Sequence, residues 1–492
     1  MTKEHPQEPG PSIGRIAFRG AALNVVVYLL VRVVNLGVTI LLARVLDPAA
    51  LGLLAALLLI YELTDLVRGF GFSFALIYQK EQPEEIFDDA FATLLQIGGV
   101  QVFVLLFLSL FADRLTSSPD AGLLLIALAP IFLAQTAGMV HEARLVREFR
   151  FATLALGELI SVGVKATVVL TMIAMGFGIV SMLLALVSAQ VARTLVYWMA
   201  CKWRPSLRVP ARSNVLFLFR YGRHIVATGV LHFLRRRADQ LIILVTLSDT
   251  ALGLYFVASR IPDLLISGIS GAVSKVIFPM LSKVSDDPAL LEERYLEAVR
   301  ATVSLLVPIS LGLFSIAGAV IIVLFGEKWA EAEPVLALLA LTGVFTAIGW
   351  NVGDLMKASG RPDILWKIMT VEATLTIPLI VFIALQFRSI EAIAAAMLAG
   401  EIIATLVRLV VTHRVLGVSA FSVLRVTVPS LLAGAVMTLA VIGSRTLVVW
   451  PGAPLLTLIF EILLGVIVYS VVFWSLDRQT ARRWFRIARG LK

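Results

Sequence analysis

Stretches of roughly twenty apolar residues recur from one end of the 492-residue chain to the other, each long enough to cross about 30 Å of hydrocarbon as a helix. They lack the polar–apolar alternation of barrel strands. Backbone groups in lipid must be satisfied within their own segment, so the stretches read as helices. Charged residues are only 15% of the chain, where a soluble domain carries about 25%. The expected fold is therefore an all-α polytopic membrane protein. Fourteen spans are expected, near 20–44, 50–76, 88–111, 121–140, 152–176, 178–200, 222–247, 250–278, 298–325, 332–356, 364–386, 391–412, 426–446 and 453–475.

With these spans the loops alternate between two sides, and their charge is lopsided. Lys and Arg crowd into the loops on the side of the N-terminus. The opposite loops hold Arg44, Arg114, Lys328, Arg388 and Arg445. By the positive-inside rule both termini are cytoplasmic. The net charge of +9 is thereby explained as topology, and a nucleic-acid partner is not expected. The polar segment 1–19 is followed by an apolar run too long for a signal-peptide core, so no cleavage is expected. Cys201 is the only cysteine, which excludes intramolecular disulfides and cysteine metal clusters. The acidic run "EQPEEIFDD" (81–89) reads as a solvated loop leading into the third span.

The chain repeats itself. An offset of 201 residues lays Ala50-Leu51-Gly52 on Ala251-Leu252-Gly253 and Glu62 on Asp263; an offset of 214 lays Glu158 on Glu372. Two parallel six-helix lobes are the simplest account, with the substrate site expected where the repeats meet. The expected organisation is a tail at 1–19, an N-lobe at 20–200, a linker at 201–221 and a C-lobe at 222–412. Two further helices follow at 426–475, then a basic amphipathic tail at 476–492 that should lie on anionic lipid.

Charges inside the spans are the strongest pointer to function, because each would cost about 2.5–3.5 kcal/mol at the bilayer centre. Eight basic residues stand out within helices: Arg32, Arg68, Lys165, Arg193, Arg235, Arg236, Arg237 and Arg260. The seventh span carries "HFLRRRADQLIILV" (232–245). At 100° per residue, Thr228, His232, Arg235, Arg236 and Asp239 share one face, and Arg235 and Asp239 are positioned to pair. Arg237 falls off that face and needs another partner or an interface. In the first span Asn24, Tyr28, Arg32, Asn35 and Thr39 form a polar stripe. The second adds Glu62, Asp65 and Arg68, the eighth Arg260 and Asp263.

Among these four spans six cations face four acids, so a shared cavity would be net positive. Such a cavity favours an anion. The planar fork of Arg suits phosphate in particular. Some of these arginines can equally be structural partners of the acids. His232 reads as a hydrogen-bonding partner or a proton carrier. Glu158 and Glu372 read as ion-coupling or as structural carboxylates, and Lys165, seven residues after Glu158, could neutralise it. No catalytic signature, cofactor motif or metal-ligand spacing is present.

Several stretches resemble the polysaccharide transporter family of the multidrug/oligosaccharidyl-lipid/polysaccharide exporter superfamily, the Wzx-type flippases. They are "LGLLAALLLIYELTDLVRGFGFSFALIYQ" (51–79), "REFRFATLALGELIS" (147–161), "LGLYFVASRIPDLLISGISGAVSKVIFPMLS" (252–282), "LFGEKWAEAEPVLALLAL" (324–341) and "KASGRPDILWK" (357–367). The "LFGEKW" element is the most specific.

The resemblance implies two six-helix lobes in a V around a central cavity. It also implies a substrate: an oligosaccharide on undecaprenyl diphosphate, moved from the inner to the outer leaflet of the bacterial cytoplasmic membrane. By comparison with related lipid II flippases, Arg32, Arg235, Arg236 and Arg260 are the expected diphosphate ligands. Asn35, Glu62, Asp65, Arg68, His232, Asp239 and Asp263 would be their polar surroundings, and the last two helices a groove for the lipid tail. H+ or Na+ as driving ion, and polysaccharide polymerase and export machinery as partners, are further expectations. A small-molecule exporter of the same superfamily and a membrane-bound assembly enzyme are the alternative readings.

Overall fold

The computed structural model describes residues 13–78, 84–206, 208–447, 453–480 and 482. Their regular structure is helical. In chain order the helices are α1 (Ile13–Val45), α2 (Pro48–Asp65), α3 (Phe72–Tyr78), α4 (Glu85–Leu115), α5 (Ala121–Ile126), α6 (Ala129–Arg147), α7 (Phe151–Ala174), α8 (Val180–Ala200), α9 (Arg212–Thr246) and α10 (Asp249–Pro262). They continue with α11 (Gly268–Ser282), α12 (Pro288–Ser315), α13 (Ala317–Leu324), α14 (Glu333–Gly349), α15 (Val352–Ala358), α16 (Pro362–Phe387), α17 (Ile390–Leu416), α18 (Ala420–Leu447) and α19 (Pro454–Leu476). Among the described residues thirteen helical segments are long and apolar enough to cross a membrane. The expected seventh span is the 35-residue α9, which falls outside that number and carries the arginine run. Of the basic tail expected at 476–492, residues 481 and 483–492 lie outside the described residues.

The chain divides into two compact units. The first comprises the described residues of Met1–Val38, Ile60–Arg114 and Ser118–Val230; the second comprises Thr39–Leu59, Leu115–Ser117 and the described part of Leu231–Lys492. In the first, Phe72, Leu76, Phe87, Phe91, Leu94 and Val140 form a buried core. Segment 201–221 is tied to this core. Arg208 pairs with Asp89 at 3.0 Å, and Asn214 donates to the other oxygen of Asp89 at 2.7 Å. Asp89, in the first turns of α4, is thus fully buried: a carboxylate with two donors fixed on it can leave water.

The core of the second unit runs along α12 through Tyr295, Val299, Val303 and Leu306 and is closed by residues of α14 and α17. The helices α18 and α19 pack on α12, with Met437, Tyr469 and Phe473 between them.

The α1–α2 corner, Thr39–Leu59, belongs to this second unit for two local reasons. One is the "LFGEKW" element. Lys328 Nζ donates to the carbonyls of Arg44 (3.0 Å) and Leu46 (2.7 Å), and the buried Trp329 donates its indole N–H to Ala43 (2.9 Å). In return the Arg44 guanidinium donates to Leu324 (2.9 Å) and Val323. The last carbonyls of a helix have no intrahelical donor; Arg44 of α1 caps α13, and the turn after α13 caps α1.

The second reason is the repeat. Asp47 accepts from the Ala50 N–H at 2.7 Å, and Ser248, 201 residues on, accepts from Ala251 at 3.2 Å, so α2 and α10 start with matching caps. These two helix starts cross face to face. A β-carbon at Gly52 would collide with the Asp249 carbonyl, and one at Gly253 with the Pro48 carbonyl. Each glycine sits where its repeat partner's helix begins.

Candidate functional site

In the second unit the arginine run of α9 meets two acids from other elements, Glu372 of α16 and Asp263 just after α10. The carboxylate of Glu372 on α16, 2% exposed, accepts from Arg235 Nη1 at 2.7 Å and from Arg408 Nε (2.7 Å) and Nη2 (3.3 Å). Arg408 also donates to Glu401 at 2.9 Å, both on α17. Two arginines and two glutamates close a neutral network.

This corrects the pairing expected within α9. Arg235 goes to Glu372, and Asp239 instead accepts the Tyr255 hydroxyl (2.7 Å) and the Gln240 N–H (2.8 Å). The i,i+4 spacing permits the Arg235–Asp239 pair, but a carboxylate already holding two neutral donors in a buried pocket has no need of it.

Arg408 is the residue that sequence reasoning missed, because its place near the end of the twelfth span assigned it to the loop. The available signal was Glu401, seven residues earlier and therefore on nearly the same helix face.

Arg236 and Arg260 are differently placed. Arg236, with 41% of its side chain exposed, approaches Asp263 Oδ1 only to 4.0 Å. Arg260, one turn before Asp263, lays its guanidinium over the Phe256 ring at 3.6 Å. His232 is exposed on the same helix as Arg236. Arg237 reaches Gln240 at 3.5 Å, back on α9 itself.

The backbone is interrupted beside these groups. Pro262 ends α10, and Asp263–Ser267 forms one turn of π-helix before α11. Proline removes an N–H and crowds the preceding turn, which leaves carbonyls free to take the wider spacing. The corresponding stretch of the first unit is interrupted too: α2 stops at Asp65, Arg68–Gly71 is a 3₁₀ turn, and Phe70 and Gly71 have positive φ. Interrupted helices at matching places in two repeats are where membrane transporters build their sites.

In the first unit, a cavity of about 160 Å³ is lined by Asn35, Tyr61, Gln135, Glu158, Lys165 and Arg193, among others. Arg193 on α8 pairs with Glu158 on α7 at 2.7 Å, whereas Lys165 donates to Asn35 Oδ1 at 2.9 Å. The carboxylate of Glu158 is thus held by the guanidinium of the neighbouring helix, a partner that the spacing of Lys165 did not point to. Arg32 lies 4.8 Å from the Tyr28 ring centre, and Asp65 approaches Arg68 to 3.5 Å with Glu62 one turn before. The side chain of Asn24 is outside what is described.

The repeat now acquires chemistry. Glu158 holds Arg193, 35 residues on, across the α7–α8 pair; Glu372 holds Arg408, 36 residues on, across α16–α17. Each unit thus has one glutamate–arginine bridge at the same place in its helix order.

A sequence profile described as "Polysaccharide biosynthesis protein" matches residues 41–334. The succinoglycan biosynthesis transport protein ExoT of Rhizobium meliloti (strain 1021) is 26% identical over 460 residues, 92% of this chain and 91% of that protein. The lipopolysaccharide biosynthesis protein WzxC of Escherichia coli (strain K12) is 28% identical over 349 residues, 69% of each chain. Among solved structures, the lipid II flippase MurJ in an inward closed conformation superposes with a TM-score of 0.72 at 17% identity, covering 92% of this chain and 98% of that one. The chain shares that fold, and with the profile spanning more than half its length it belongs to the polysaccharide biosynthesis protein family.

Proposed function

We propose that the chain is a transporter rather than an enzyme: a flippase that carries an oligosaccharide on undecaprenyl diphosphate from the cytoplasmic to the outer leaflet by alternating access, for surface polysaccharide assembly. The observation that carries the reading is Arg236 beside Asp263 at an interruption in a membrane helix, with Arg260 one turn before Asp263 in the same helix. A diphosphate brings more negative charge than one carboxylate, and its paired oxygens suit guanidinium forks. Arriving there, it competes with Asp263 for Arg236. Arg235 is held back from this role by Glu372. In the first unit Arg32 is the corresponding candidate. The reading is supported by relatives named for transport or assembly of succinoglycan and lipopolysaccharide and by the fold shared with a lipid II flippase. We assign coupling by H+ or Na+ to Glu158 and Glu372, since a cation reaching either carboxylate competes with the arginine held there.

The test is a leaflet-resolved assay of lipid-linked oligosaccharide in the native host after deletion of the gene. Substrate should accumulate on the cytoplasmic leaflet, with transport restored by the wild type. Arg236→Ala should transport at least roughly tenfold more slowly, the value of one charge-assisted hydrogen bond of about 1.5–3 kcal/mol. Normal appearance of the lipid on the outer leaflet in the deletion strain, with new sensitivity to toxic small molecules, would instead identify a small-molecule exporter.

A further inference from the structure

At the end of the second unit where α12, α18 and the end of α19 meet, a cavity of about 660 Å³ opens. It is far in sequence from the α9–α10 arginines and shares no lining residue with them. Arg300 from α12, Arg425 from α18 and Arg478 just beyond α19 converge on it. One acid, Asp477, lies among them. Its oxygens already accept the Thr480 N–H (3.1 Å) and hydroxyl (2.8 Å), and Arg300 approaches only to 3.7 Å, beyond hydrogen-bond distance. Arg425 and Arg478 form no ion pair among the described residues. Three guanidinium groups against one engaged carboxylate leave a net positive pocket with donors to spare.

The rest of the lining combines the apolar Leu296, Val426, Pro429 and Leu476 with the polar Ser422, Ser475 and Gln479. On α18, Val428, Leu432, Val436 and Leu439 lead away from the pocket as an exposed apolar stripe, and Ile467 and Val471 do the same on α19. Guanidinium groups at a helix end with an exposed apolar groove beginning beside them match an anion that carries hydrocarbon chains; a soluble anion would leave the groove unused.

We infer that this cavity binds the phosphodiester headgroup of an anionic phospholipid whose acyl chains lie along α18 and α19. Arg300, Arg425 and Arg478 are its headgroup ligands. The site shares α18 and α19 with the groove that the resemblance gives to the substrate's lipid tail, and the test below separates the two lipids.

The test uses full-length protein in neutral detergent. Thermal unfolding and native mass spectrometry are recorded with phosphatidylglycerol, phosphatidylcholine or inorganic phosphate added, for the wild type, Arg425→Gln, the triple variant Arg300→Gln/Arg425→Gln/Arg478→Gln, and the remote control Arg361→Gln. Phosphatidylglycerol alone should stabilise the wild type and the control. Its affinity should fall about fivefold in Arg425→Gln and on the order of a hundredfold in the triple variant, at a few-fold per arginine. Equal binding by wild type and Arg425→Gln, which keeps the inference testable if the triple variant does not fold, would overturn it. Stabilisation by inorganic phosphate as strong as by the lipid would overturn the lipid assignment. Competition by undecaprenyl diphosphate for the same arginines would give the cavity to the substrate and overturn it as well.

Discussion

Glu372 is almost fully buried, with guanidinium donors from two helices on its two oxygens. Removing one member of such a buried pair strands the other charge, at a cost of about 3–5 kcal/mol. Glu372→Ala should therefore lower the thermal midpoint of the purified protein markedly, and adding Arg408→Leu should recover most of the loss. A double variant no more stable than the single one would show that the two side chains are not coupled. Arg235→Gln should cost less than either, because that guanidinium is one-third exposed and solvent screens it. Arg408 was illegible in the sequence for a physical reason: hydropathy places it near a helix end, where a cation costs little, and only its contact with α16 shows it buried.

At the scale of elements, the crossing of α2 and α10 depends on two glycines that the repeat brings together. Gly253→Ala should push a methyl into the Pro48 carbonyl, and Gly52→Ala should do the same at Asp249, so either variant separates the helix starts. Cysteines placed at Ala49 and Thr250 to report this separation should cross-link more slowly once either alanine is present, and an unchanged rate would mean the helices do not rest on the glycines. The clamp on the α1 end is testable separately. Trp329→Phe removes the indole donor and leaves the Ala43 carbonyl without it, a loss of about 1–3 kcal/mol read as a lower unfolding midpoint. The offset of 201 residues was visible in the amino acids, but the matching caps, the reciprocal glycine contacts and the matching interruptions were not. A repeat at this level of similarity preserves backbone geometry far better than it preserves side chains.

At the scale of the whole molecule, loop charge predicts an orientation with both termini cytoplasmic, and that orientation can be read chemically. Cys201 is buried, so a Cys201→Ser background carrying one new cysteine reports one site. Arg388→Cys should react with a membrane-impermeant maleimide added outside intact spheroplasts, and Arg361→Cys only after permeabilisation; the reverse pattern would invert the topology. Membrane class and approximate span positions followed from the sequence alone, because the free energy of moving a residue into hydrocarbon is local and roughly additive along a segment. The family resemblance was legible for a related reason, as its motifs are continuous stretches such as "LFGEKW". Which charges are committed and which remain available was decided only by tertiary structure. The partner of Arg235 lies 137 residues away, whereas helical periodicity can compare a residue only with neighbours on its own helix. An arginine in a membrane is costly wherever it stands, but whether it is a strut or a ligand site depends on which carboxylate the fold brings to it.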